Sequence, residues 1–62
     1  MTKLKFLRGL FEHEEALPFN YVVRQCANRF GSFGDGLQAI VDGLNDGVIS
    51  MTPDGITVIL VS

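Results

Sequence analysis

Leu4, Leu7 and Phe11 recur at i, i+3 and i+7 with Leu10 beside them, a stripe that predicts an amphipathic helix over roughly Lys3 to His13. Phe6 projects to another side of that helix, close to Leu10, which gives it a second apolar edge. A cleaner helix follows Pro18, whose fixed φ suits a first helical position: Phe19, Val22, Val23, Cys26, Ala27 and Phe30 fall on one face. Gly31 closes it, and Ser32-x-x-Asp35 has the spacing of a capping box opening the next helix. There Phe33, Leu37, Ile40, Val41 and Leu44 predict the inward face, with the helix stopping near Gly47. Gly34, Gly36 and Gly43 each cost this helix up to about 1 kcal/mol relative to Ala, so packing has to hold it.

After Gly47 the period changes. Val48 to Thr52 and Ile56 to Val61 are rich in β-branched residues and flank Pro53-Asp54-Gly55, which reads as a hairpin closed by a type I turn with a bulge. Ile56, Val58 and Leu60 are expected to face the core, which turns Ile59 and Val61 outward as an apolar outer face. The expected architecture is therefore α+β, three helices followed by a short C-terminal β-hairpin, in one domain spanning residues 1–62. Repeats, linkers and low-complexity segments are absent from the sequence.

Composition narrows the class. Apolar residues make up 47% of the 62-residue chain, which excludes intrinsic disorder and leaves a modest core to hold a small fold. Cys26 is the one cysteine and lies in an apolar run, so it is expected as a buried core thiol in a reducing, cytoplasmic setting. No apolar stretch approaches the roughly 18 residues that span a bilayer, and the N-terminal residues lack the features of a signal peptide. Neither a membrane nor a small-molecule substrate is expected as a partner. One His, one buried thiol and no nucleophile–base spacing or phosphate loop predict a non-enzymatic protein without catalytic residues, cofactor or metal. His13 among Glu12, Glu14 and Glu15 reads as a solvated helix end, with Arg8 and Glu12 as an i, i+4 pair.

The order helix, helix, tight turn, helix, hairpin resembles the winged-helix variant of the helix-turn-helix superfamily over roughly Leu4 to Val61. The resemblance rests on Leu7 and Phe11, on Val22-Val23-x-x-Cys26-Ala27, and on Leu37-x-x-Ile40-Val41-x-x-Leu44-x-x-Gly47-Val48-Ile49. It implies a DNA-binding or transcription-associated regulator, of which a dimeric phage-type factor is one form, whose third helix reads the major groove. The residues then expected at DNA are Lys3, Lys5, Arg8, Arg24 and Arg29 for phosphates, with Ser32, Gln38 and Asn45 from the third helix and its cap.

Charge argues the other way. The net charge is −2, no Lys or Arg occurs from Phe33 to Ser62, and helical winding from the expected core face sets Asp35, Asp42 and Asp46 at the centre of the outward face. Such a surface suits a protein partner, including an inhibitor that mimics nucleic-acid charge. Its expected contacts are Asp35, Asp42 and Asp46, the small-residue stripe Gly36, Ala39 and Gly43, the Phe6 and Leu10 edge, and Ile59 and Val61. The small stripe has an equally simple intramolecular use, as the seat of the first helix or the N-terminus. DNA, a protein partner and a homodimer all remain open at this point.

Overall fold

The computed structural model describes residues 3–61, with the Lys3 side chain outside that description. Three helices alternate with a small antiparallel sheet in the order α1 (Lys3–Leu10), β1 (Ala16–Pro18), α2 (Phe19–Phe30), α3 (Phe33–Asn45), β2 (Ile49–Met51) and β3 (Thr57–Leu60). The α+β class and the C-terminal hairpin are as expected. The sequence pattern misses β1, which pairs with β3 through Ala16↔Ile59, Leu17↔Val58 and Pro18↔Thr57 and makes the strand order β1-β3-β2. A Pro is tolerated there because β1 is an edge, and the chain continues the ladder one residue later, where Phe19 N–H donates to Ile56 C=O at 2.7 Å. The residue preceding Pro18 is biased to extended backbone, which suits Leu17 to the strand.

Helix ends follow local chemistry. α1 stops at Leu10, short of His13, as Phe11 and Glu12 tighten to i−3 bonds on Arg8 and Gly9. Pro18 is the N-cap of α2 in extended conformation, one residue ahead of the expected first helical position. Gly31 takes φ 99° and donates to Ala27 C=O. Ser32 caps α3, its hydroxyl accepting from Asp35 N–H at 3.1 Å. At the far end Gly47 has φ 76°, Gly47 N–H donates to Leu44 C=O and Val48 N–H to Gly43 C=O, the paired bonds of a Schellman motif that turns α3 into β2.

One core cluster joins all the helices to the sheet: Leu7, Phe11, Val22, Val23, Cys26, Ala39, Ile40, Val48, Ile49 and Val58 are buried. The inward face of α3 differs from the expected one. Gly36, Ala39, Ile40 and Gly43 are buried, whereas Phe33, Val41 and Leu44 are 62%, 45% and 36% exposed. The helix is thus rotated by roughly a quarter turn about its axis from the expected orientation. The cause is close packing. A Cβ on Gly36 would lie 2.7 Å from Ala27 N, and one on Gly43 would lie 2.7 Å from Leu7 Cδ1, so the glycine side lets α3 approach α2 and α1 where bulky side chains would hold it off.

Two further expectations are corrected. Ile56 is 63% exposed, because it precedes β3 in the turn and its backbone is committed to Asp54 and Phe19. Ala39 is fully buried and so is withdrawn from the candidate partner surface; the small stripe serves the intramolecular contact. Among the described residues, no helix is long and apolar enough to cross a membrane.

Candidate functional site

Rotation of α3 decides what it offers to a ligand. Measured from its buried side, the outward centre is occupied by Gly34, Gln38, Val41 and Asn45, and the carboxylates Asp35, Asp42 and Asp46 fall to one flank. Their expected place at the centre of the face is corrected accordingly. Phe33, Leu37 and Leu44 form the opposite flank. Gln38 is exposed and its amide donates to Asp42 Oδ1 at 3.0 Å, an i, i+4 bond that holds the Gln38 amide toward the acidic flank in the free protein. Asn45, the last residue of α3, and Ser32, its cap, are exposed at the two ends of this face.

Beside the N-terminal end of α3 the chain forms a crevice of about 270 Å³ lined by Asn20, Val23, Arg24, Ala27 and Asn28 of α2 and by Phe33. Asn20, Arg24 and Asn28 recur every four residues on the polar side of α2, a spacing that could have singled them out as a row from the sequence. Of the three, the charge pattern of the sequence points to Arg24 alone. The fold thus brings one cation and two carboxamides to the start of α3. Their chemistry suits an anionic oxygen, which a guanidinium engages with paired donors and an amide with one.

The other cations are distributed elsewhere. Arg29 lies 5.4 Å over the Phe30 ring, and that ring meets Phe6 edge-on with centroids 5.5 Å apart, so Arg29 belongs to the junction of α1 and α2. Lys5 and Arg8 are exposed on α1, and the Lys3 side chain lies outside the described residues. Phe6 and Leu10, the edge expected at a partner, are both half-buried and pack against the chain's own core. On the sheet, Ile59 sits between Ala16 and Ser50 in the register and is 37% exposed, with Val61 more so.

The turn between β2 and β3 is compact. Gly55 N–H donates to Thr52 C=O, Gly55 has φ 73°, and Asp54 Oδ1 accepts from Ile56 N–H at 3.0 Å and from the Thr52 hydroxyl. Those bonds, the Thr52 hydroxyl first, hold the Asp54 carboxyl below its ordinary pKa. Burial pushes the Cys26 thiol up to about 11, leaving it a protonated core group. Among the described residues, no cluster of three or more His, Cys, Asp or Glu could hold a metal ion.

No family model, curated protein or solved structure matches the chain.

Proposed function

We propose that this chain is a winged-helix domain acting as a small, non-enzymatic DNA-binding regulator in the cytoplasm, with α3 directed to the major groove. The observation that carries the reading is the rotation of α3. It turns Gln38, Val41 and Asn45 outward and moves the carboxylates from the centre of the face to its flank. Gln and Asn pair with adenine through its N6 and N7 edge, and an apolar side chain such as Val41 meets a thymine methyl, so the centre of the face suits A·T-rich readout. Arg24, with Asn20 and Asn28, holds a phosphate beside the start of α3, and Ser32 adds a hydroxyl. The order of elements, with a strand between the first two helices and a hairpin at the end, supports the family resemblance.

Electrostatics sets the strength. A net charge of −2 and an acidic flank leave few favourable phosphate contacts, so affinity is weak and steeply lost with salt. Gln38 must also exchange its bond with Asp42 for one to a base. The test is fluorescence anisotropy of an A·T-rich duplex at about 20 mM salt, where weak binding is strongest. Gln38→Ala and Arg24→Ala should each weaken binding about tenfold, the size of one good base or phosphate contact. Absence of binding at every protein concentration overturns the reading.

A protein-interaction module is the second reading, favoured by the exposure of Phe33, Val41 and Leu44 along α3. Asp35, Asp42 and Asp46, or Ile59 and Val61, are the remaining contacts it would use. Changing the three aspartates to Asn then alters partner capture and leaves duplex affinity unchanged or improved.

A further inference from the structure

We propose that the crevice between α2 and the start of α3 takes the C-terminal end of a partner peptide, with its free carboxylate on Arg24 and its apolar last side chain against Phe33. The DNA reading gives the same crevice to a phosphate, but this inference does not rest on that reading.

Three polar groups of α2 are unspent there. Asn20, Arg24 and Asn28 are exposed one helical turn apart, and among the described residues none of them has an ion pair, a hydrogen bond or a ring partner. Arg29, by contrast, lies over the Phe30 ring, and the Gln38 amide is bonded to Asp42. The rest of the lining is apolar. Val23 is buried and Ala27 half-buried beneath the polar row, and Phe33 is 62% exposed beside it.

Charge and size select the occupant. Neither a carboxylate nor a second cation lines the crevice, so a singly charged anion is balanced there, whereas a phosphate monoester with nearly two charges is not. A guanidinium takes a carboxylate through two parallel N–H donors. Each carboxamide offers both donors and an acceptor, the complement of a peptide group rather than of a bare acid. The volume of about 270 Å³ lies below the usual range of drug-sized pockets. It suits one aliphatic side chain with its carboxylate and the peptide group before it.

N-acetyl-leucine carries those three features and is the probe. Titrated without DNA into labelled protein at neutral pH and constant ionic strength, it should shift the Asn20 and Asn28 side-chain amides, the Arg24 guanidinium and the Phe33 ring together. The dissociation constant should be about 1 mM, near the limit for so few atoms. Arg24→Gln, at an exposed position, should weaken binding more than about tenfold, and the uncharged N-acetyl-leucine amide should bind as poorly. N-acetylglycine, without the apolar side chain, and isocaproate, without the peptide group, should each bind about fivefold more weakly or worse. An absence of shifts at these groups up to about 20 mM probe, or shifts that Arg24→Gln leaves unchanged, overturns the site. Isocaproate or adenosine monophosphate binding as tightly as N-acetyl-leucine overturns the peptide end as its occupant. Since no duplex is present, the outcome is independent of whether the chain binds DNA.

Discussion

Gly36 faces the backbone of Ala27 so closely that a Cβ on the glycine would lie 2.7 Å from the Ala27 amide nitrogen and 2.9 Å from its Cα. This contact fixes the rotation of α3 and therefore which residues the helix shows to solvent. Neither backbone atom can swing aside as a side chain end can. Gly36→Ala should therefore destabilise the fold by about 2 to 3 kcal/mol, an overpacking cost set against the small helix-propensity gain. Gly34 has open space around its Cα, so Gly34→Ala two residues away should stabilise by about 0.5 to 1 kcal/mol. Urea denaturation of the pair separates them; equal effects would contradict the close approach.

Gly43 provides an intermediate case. Its neighbours are the ends of Leu7 and Ile49, flexible groups that can rotate away at some cost. Gly43→Ala should cost about 1 to 2 kcal/mol, less than Gly36→Ala, in the same denaturation series.

Much of this fold is written in local signals. The α2 stripe, Gly31, the Ser32 cap and the Gly47 turn each act within a few residues, so the pattern along the chain is sufficient to place them. β1 was missed because three residues, one of them Pro18, carry no period of their own and become a strand only when β3 supplies the partner. The α3 face was misplaced for a related reason. Apolar bulk at Phe33, Leu37, Val41 and Leu44 gives the stronger periodic signal, and only the tertiary contact of Gly36 with Ala27 shows that closeness outweighs bulk here. With the face misplaced, the centre of the candidate site was read as acidic. Gln38 and Asn45 take that centre in the structure, and Asn20 and Asn28, which line the crevice with Arg24, carry no charge to single them out.

Cys26 makes stability depend on alkaline pH. Its thiol ordinarily titrates at 9.0 and is raised to about 11 in the folded chain, so the unfolded chain loses its proton first. Stability from this group is fully present below pH 9 and is lost as pH rises through 11, by about 2 to 3 kcal/mol in all. Denaturation midpoints measured from pH 8 upward should fall accordingly, and Cys26→Ala, though less stable at neutral pH, should lack this component of the fall. Reaction of the thiol with a disulfide reagent at pH 8 should be slow until the chain unfolds.

Asp54 acts at the other end of the scale. Its folded pKa is lowered, so the contribution of its bonds to Thr52 and Ile56 is present above the ordinary carboxylate value and is lost as pH falls through the folded one. A carbon-detected titration should find Asp54 below its ordinary 3.8. Asp54→Asn should flatten the acid limb of the stability profile and leave the duplex affinity within about twofold, since the turn carries no cation to hold a phosphate.

Nuclear magnetic resonance can see directly which side of α3 meets a ligand. In a titration of labelled protein with an A·T-rich duplex at low salt, the Gln38 and Asn45 side-chain amides should shift first, with the backbone of Ser32, Gly34 and Val41 and the Arg24 guanidinium following. Shifts confined to α1 around Lys5 and Arg8, or none at any ratio, would contradict the outward face of α3 as the site.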